Sequence, residues 1–441
     1  MTTVPQLAET LQAVLTSTAN TAARTTGFVQ RQSKLTGAAF VQALVFGWLA
    51  NPQASVEALA QAAAVAGVAI SPQGLDQRFT EAAAAFLEQV LAAAIRAVVA
   101  ADPVAIPLLE RFTAVVLLDC STIVLPAALA PWWPGCGGTS AKNTAAAVKL
   151  EVRVDLCRGT LTGPLLLDAR THDSSTPLQT APLPVGALRI ADLGFFDLRV
   201  FKEMAARGVH WLSRLHASPT VYDRDGRPWD VPRLLATHGG GAVDVPVFLG
   251  AEHRLAARLL AVRVSDGVAN ARRRRIRAEA KRRGQTPSAT RLAWADWTIL
   301  VTDVPSELLS LREALVLARA RWQIELLFKL WKSHGHVDES RSTKPWRILC
   351  EVYAKLLAML IQHWLLLTGC WAYPDRSLVK AAHTIRQHAL HLASALPCAA
   401  TLCAAITVIH RCLAAGCRIN RRKTKPNTYQ LLLEPSLAGL A

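Results

Sequence analysis

The sequence predicts an α/β protein whose sheet occupies the middle of the chain and whose two ends are helical. Three observations carry that expectation. Residues 1–108 are Ala-rich with amphipathic runs, a continuous apolar run at Val115–Leu118 opens a series of strand-like segments, and residues 345–441 return to helix-forming composition. At 441 residues the chain is too long for one ordinary core, and at 51% hydrophobic it is too apolar to be mostly disordered.

The N-terminal region, 1–108, contains SVEALAQAAAVAG, where Ser55 can cap a helix and Gly67 can end it. SPQGLDQRFTEAAAAFLEQVL then begins a helix with Ser71 as cap and Pro72 in the first helical position. Helix, short turn, helix is the outline of a DNA-binding helix-turn-helix, and also of any small helical bundle.

From 109 to 207 the pattern changes to strands. Val115–Leu118 fits a buried strand with Asp119 at its far end, and Ala146–Arg170 reads as two strands joined near Arg158–Gly159. GALRIAD ends a further strand at Asp192, and a helix follows from about Leu198 to Ala206. Residues 208–296 read as a β-rich insertion carrying a basic arm. Residues 297–344 hold another buried strand, starting at Trp297, and a long helix capped by Ser306 and running to about Lys332. The last segment, 345–441, reads as helical and as a candidate dimerisation region, and it carries a basic stretch, RINRRKTKPNTYQ. Its most apolar part, Leu356–Tyr373, approaches the length of a membrane span, but Gln362 and His363 near its middle favour a buried core helix.

A net charge of +17 and a pI near 10 point to a polyanionic partner, with nucleic acid first. The charge peaks in ANARRRRIRAEAKRRGQTPS, where Arg272, Arg273, Arg274, Arg275, Arg277, Lys281, Arg282 and Arg283 are answered only by Glu279. Such a block repels itself unless phosphates neutralise it; the alternative is a solvated arm. The nine cysteines show no CxxC spacing, so neither a disulfide frame nor a zinc site is expected, and the thiols should be buried in a reducing compartment. The start of the chain lacks a basic segment followed by an apolar run, so a cytoplasmic location without membrane association is expected.

Three carboxylates hold positions that suit chemistry. Asp119 and Asp192 each end a buried strand, and Glu325 lies on a helix after a third. A carboxylate so placed is costly without a partner or a task, and three together repel one another unless a divalent cation intervenes. Oxygen ligands suit Mg²⁺ or Mn²⁺, and two such ions roughly 3.5–4 Å apart serve phosphoryl transfer, with Asp119 bridging them. A single strand-end aspartate can equally be a turn or cap residue. Arg321 and Lys332 stand four and seven residues from Glu325, on one helical face, where they suit the phosphates of a DNA strand end. Trp322, Ile324, Leu326, Leu327 and Phe328 imply that this helix is largely buried.

RWQIELLFKLWKS resembles the insertion-sequence-four family of DDE transposases, whose signature is a Tyr, Arg, Glu, Lys series at intervals of two, three and six residues. Arg321, Glu325 and Lys332 match it; Ala318 stands where the family has tyrosine. LLDCSTIVLP is similar to the family's Asp-Ser-Thr stretch with Cys120 interposed, and IADLGFFD matches the second aspartate with Asp192, Asp197 being the competing candidate. The likeness covers roughly residues 35–435. It implies an RNase H-like catalytic domain and cut-and-paste transposition through a hairpin. Two protomers would act on the transposon's terminal inverted repeats and on target DNA, in the bacterial cytoplasm and at the nucleoid when DNA-bound. It also implies that Trp297, twenty-four residues before Arg321, receives a flipped base, with Trp294 as the fallback; the alternative for Trp297 is an ordinary core aromatic. Trp132 and Trp133 read as a packed loop. A metal-dependent nuclease and a non-catalytic DNA-binding relic remain as other readings.

Overall fold

The computed structural model describes residues 1–31, 34–136, 146–237 and 240–439; the end of the PWWPGCGG loop lies outside them. Ten strands follow in chain order: β1 (Val115–Leu125), β2 (Ala146–Asp155), β3 (Leu161–Asp168), β4 (Leu188–Ala191), β5 (His210–Arg214), β6 (Val221–Tyr222), β7 (Pro228–Trp229), β8 (Ala242–Leu249), β9 (Leu255–Arg263) and β10 (Trp297–Thr302). The chain forms two compact units. The first gathers residues 1–105, 119–171 and 323–420, the second 106–118, 172–322 and 421–441. These divisions cut the chain at other places than the five expected segments, and one cut falls inside β1.

The first unit is built around the helix Pro345–Cys370, against which Gly37–Ala50 and Glu81–Arg96 pack. Apolar residues on every face explain its burial, and its most apolar window is entirely covered. A second helix, Ala399–Gly416, is also long and apolar enough to cross a membrane and is only 28% buried over the same length. Three polar exceptions in the core helix are paired, whereas the buried Gln362 Oε1 has no hydrogen-bond partner among the described residues. Lys355 and Glu351 form a buried ion pair at 2.7 Å, and His363 Nε2 donates to the Gly159 carbonyl at 2.8 Å. Gly159, at φ +70°, turns β2 into β3, where the sequence predicts the turn.

In the first unit, local capping follows the expected residues with one correction. Ser55 accepts from the Ala58 N–H at the start of Val56–Val65, and Gly67 leaves that helix at φ +83°. Ser71 and Pro72 start only a short helix, Pro72–Asp76. A second begins at Glu81 because Thr80, in extended conformation, accepts from the Ala83 N–H and restarts the backbone ladder. In the basic stretch, residues from Arg421 onward belong to the second unit, where Thr428–Leu433 packs on Leu311–Ala320.

In the second unit the strand order is β1-β4-β5-β10-β9-β8-β6-β7. β1, β4 and β5 run parallel, β10 runs antiparallel to β5, and β8, β9 and β10 form an antiparallel meander. The paired part of β1, Val115–Leu118, reads as a continuous apolar run and is buried throughout, as a parallel strand covered on both faces should be. Phe201 stacks on Trp211 at 4.3 Å in the cluster that covers the meander, with Trp297 and Leu259 beside them.

The expected β-rich insertion supplies β8 and β9 of the meander, and its basic arm is a helix, Asp266–Arg282. The expected cap Ser306 is replaced by Ser310, whose hydroxyl accepts from the Glu313 N–H while Glu313 accepts from the Ser310 N–H and hydroxyl. This reciprocal box fixes the start at Leu311, and Ser306 instead donates to Glu307. All nine cysteines are free; Cys157, Cys350, Cys370 and Cys417 are buried as expected, while Cys136 and Cys398 are exposed.

Candidate active site

Pairing of β1 with β4 runs from Val115↔Leu188 to Leu118↔Ala191. The next residue on the first strand is Asp119 and on the second Asp192, so two aspartates follow one paired step of two parallel strands. β1 itself continues to Leu125, which corrects the expectation that it stops at Asp119; only its pairing with β4 stops there. Asp119 Oδ1 accepts the Cys120 N–H at 2.8 Å. After Asp192 the chain enters a short 3₁₀ turn, Leu193–Phe195. Gln179 Nε2 donates to the Phe195 carbonyl at 3.0 Å, and buried Arg189 of β4 donates to the Gln179 carbonyl and to Gln179 Oε1 at 3.0 and 2.7 Å. This clamp fixes the turn that follows the second aspartate, and neither of its residues is marked by the sequence pattern.

Asp197, the competitor of Asp192, has a different task. Its Oδ1 accepts from the Arg199 and Val200 N–H groups and caps Leu198–Ala206, a helix with the bounds the sequence predicts. Capping satisfies that carboxylate and removes the reason to assign it to catalysis.

Glu325 is half-buried on the helix Trp322–Lys329. The single long helix expected here is three pieces: Leu311–Ala320, then Trp322–Lys329 after a break at Arg321, then a π-helical turn, Leu330–His334. Arg321 therefore stands at a junction, and Lys332 lies in the wider turn rather than seven α-helical residues along. Of the residues expected to be buried, Ile324, Leu327 and Phe328 are, Leu326 is half-buried and Trp322 is 49% exposed; Leu330 and Trp331 are buried as well. Lys332 Nζ donates to the Thr122 carbonyl at 2.6 Å, three residues beyond Asp119 on β1. Burial holds its pKa below the usual lysine value, opposed by Asp338. Ala318 is half-buried and offers no hydroxyl.

Behind the π turn, backbone carbonyls meet buried cations. Lys355 Nζ donates to the His336 and Glu339 carbonyls, each at 2.8 Å, and Arg386 Nη2 donates to the His334 carbonyl. These bonds supply the partners that the end of a helix lacks.

The arginine run divides by neighbour. Arg272 donates to the Trp297 carbonyl at 2.8 Å and to Thr298 Oγ1 at 2.9 Å, and Arg273 pairs with Asp296 and Asn270. Arg274, Arg275 and Arg277 are exposed. Glu279 takes Arg283 at 2.9 Å and Arg291 at 3.4 Å. Trp297 is 8% exposed, within the cluster of Trp211 and Phe201, so the core-aromatic reading describes this conformation; Trp294 packs half-buried against the same cluster. Trp132 packs on Trp346 at 4.9 Å but stays 46% exposed, and Trp133 is half-buried, so the loop is less packed than expected.

Among the described residues, no three His, Cys, Asp or Glu side chains stand close enough together to hold a metal ion. The donor set of Asp119, Asp192 and Glu325 nevertheless fits a hard divalent cation, being all carboxylate oxygen.

Aspartates just past the paired steps of β1 and β4, a later glutamate between cations in the chain and a strongly basic composition suit the class of enzymes that transfer phosphoryl groups on polynucleotides. Within that class the family is specific: residues 110–361, more than half of the chain, match the transposase DDE domain, and the chain belongs to that family of transposases, which act on DNA and generally use divalent metal ions. The chain is 27% identical over 362 residues to the transposase of insertion sequence element IS231F from Bacillus thuringiensis subsp. israelensis, covering 77% of this chain and 75% of that one. The transposase of element IS1151 from Clostridium perfringens is 22% identical over 379 residues, 79% of this chain and 78% of that one. A putative transposase, InsL of element IS186A from Escherichia coli, is 34% identical over 105 residues, 24% of this chain and 28% of its own. These matches bear out the resemblance to the insertion-sequence-four group.

Proposed function

We propose that this transposase moves its element by cut-and-paste transposition, using Asp119, Asp192 and Glu325 in an RNase H-like core. The observation that carries the reading is the β1–β4 register, which ends on the step before both aspartates, in a chain of the DDE family. The three carboxylates are the residues that would hold two Mg²⁺ or Mn²⁺ ions; when bound, such ions activate the attacking oxygen and stabilise the leaving one.

The chain's own contribution is to bind and orient DNA. Arg321 and Lys332 take phosphates beside the scissile one, as paired cations suited to that charge. Arg274 and Arg275 add backbone contacts on the exposed side of their helix, while Arg272 and Arg273 hold that helix in place. Trp297 receives a base only if its ring leaves the core cluster. In the first step water attacks the phosphodiester at a transposon end, leaving a 3′-OH on the element and a 5′-phosphate on the flank. That 3′-OH attacks the opposite strand, closing a hairpin and releasing the flanking strand's 3′-OH. A second water opens the hairpin, and the restored 3′-OH attacks a target phosphodiester, expelling a target 3′-OH. Two protomers, each holding one terminal inverted repeat, carry out these steps in the cytoplasm.

A linear DNA carrying the element's ends, incubated with the protein and Mg²⁺, tests the proposal. Hairpins and joined products are expected. Nicks alone would mean a nuclease, and binding without cleavage would mean a DNA-binding relic.

A further inference from the structure

The second unit contains a cavity of about 510 Å³ whose walls come from the end of β9, the start of β10, the helix Leu311–Ala320 and the segment 424–439. Arg263, Arg319 and Lys425 line it together with Thr298, over a floor that includes Val316 and Leu431. No carboxylate is among the lining residues. Among the described residues, none of the three cationic side chains makes an ion pair or hydrogen bond, although elsewhere in this unit Arg111, Arg258 and Arg273 each find an acidic partner. The Thr298 hydroxyl on the wall accepts from Arg272 at 2.9 Å, which brings a fourth cation behind the same strand.

Arg263, Arg319 and Lys425 are exposed like charges lining one cavity, and among the described residues no acidic side chain pairs with them to relieve their repulsion. A phosphate ester would. Its oxygens accept from arginine in the paired geometry that guanidinium offers, and lysine serves as a point charge beside it. The apolar floor suits the sugar or base attached to such a phosphate. Arg319 lies in the last turn of its helix, two residues before Arg321, so a strand bound here would continue toward Arg321 along the same stretch of chain.

We propose that this cavity is a nucleotide-phosphate site that grips the DNA backbone outside the catalytic carboxylates. The assignment rests on the reading that the protein acts on DNA, but not on cleavage. It is therefore tested without divalent ions, in EDTA, by measuring the affinity of the full-length protein for an end-bearing DNA duplex across a range of salt concentrations. The variant Arg263→Gln/Arg319→Gln/Lys425→Gln should lower the slope of log affinity against log salt by roughly two to three, about 0.9 for each phosphate no longer neutralised. The charge-conserving variant Arg263→Lys/Arg319→Lys should keep the slope and the melting temperature of the wild type. An unchanged slope in the triple glutamine variant overturns the proposal. Calorimetric titration with deoxythymidine monophosphate separates DNA from free nucleotide as the source of the phosphate. Weak binding, around millimolar or worse, is expected; tight binding that the triple variant abolishes, with no change in the DNA slope, overturns the backbone assignment. A wild type that shows the predicted slopes yet never cleaves DNA would sink the transposition mechanism and leave this site standing.

Discussion

Two helical segments hold the charges that the sequence singles out, one densely and one sparsely, and the structure treats them in opposite ways. The arginine helix, Asp266–Arg282, buries only Ala269 and Ala280, and its charges face solvent except where Arg272 and Arg273 tie it down. The segment Trp322–His334 carries Glu325, Lys329 and Lys332 among buried Ile324, Leu327, Phe328, Leu330 and Trp331, and Lys332 is committed to a backbone carbonyl of β1. Charge density thus marks a place where charge is cheap and each residue replaceable. A lone charge inside an apolar pattern marks a place where the fold bears a cost for it, and where removal has consequences.

The largest effect should come from the sparse segment. Glu325→Gln keeps the size of a half-buried side chain and removes its charge. Strand cleavage in Mg²⁺ should fall by at least roughly ten-thousandfold, more than about 5 kcal/mol in the barrier, while DNA binding in EDTA persists. Arg274→Gln in the dense segment should leave the cleavage rate of bound DNA within about twofold of wild type. Equal losses in the two variants would break the comparison.

Next in size is the support behind the π turn. Glu351→Gln leaves Lys355 buried without its partner, a change that typically costs about 3–5 kcal/mol. Lys355 also holds the His336 and Glu339 carbonyls, so the loss should appear both as a lower melting temperature and as looser hydrogen-exchange protection just beyond His334. The double variant Glu351→Met/Lys355→Met should recover much of the melting temperature, because it removes the stranded charge, but not the protection.

Acid should also separate the two regions. Burial pushes the His363 pKa down to about 4, helped by Arg376 and opposed by the hydrogen bond to Gly159, and burial brings His410 to about 4 as well. A histidine whose folded pKa is depressed takes up its proton first in the unfolded chain. Its stabilisation is complete above about pH 6.5 and is lost as pH falls toward 4, by up to about 3 kcal/mol for His363. His334 in the π turn is shifted in the same direction, by burial and then by Arg386, Lys329 and His336. The melting temperature should therefore fall between pH 7 and pH 5, and His363→Gln should flatten that fall. A stability curve that is level over this range in the wild type would contradict the buried, neutral assignment.

How much of the fold and site is legible in the sequence depends on whether the signal is local. Helix starts at Ser55 and Ser71, the turn at Gly159 and the bounds of Leu198–Ala206 are readable because caps and glycines act within four residues. Asp192 is readable as a strand-end acid, whereas Asp119 lies inside β1; that both follow the same paired step is not shown by the sequence, since register is a property of two strands. The break at Arg321 and the π turn escape a sequence reading because the apolar spacing of Ile324, Leu327, Phe328 and Trp331 fits a continuous helix. Only the bonds to Thr122, Lys355 and Arg386, distant in the chain, settle the wider turn. The cavity is invisible for the same reason: Arg263, Arg319 and Lys425 are far apart in the chain and meet only in the fold. Trp322 shows the opposite failure, an apolar residue in a helical pattern that suggests burial and is instead exposed.

The smallest effect sharpens the comparison within the arginine helix itself. Arg272→Gln removes two hydrogen bonds that join the helix to Trp297 and Thr298, at roughly 1–2 kcal/mol of stability. Arg274→Gln and Arg275→Gln touch only solvent and should stay within about 0.5 kcal/mol of the wild type. If those outward residues contact phosphates, each of these two variants should lower the salt slope of DNA binding by about 0.9. Four consecutive arginines would then divide into two that build the protein and two that meet the DNA. Chemical denaturation and salt-dependent binding on the same three variants measure both quantities. A stability loss for Arg274→Gln as large as that for Arg272→Gln would show that the helix is held along its whole surface and that position in the run says nothing about role.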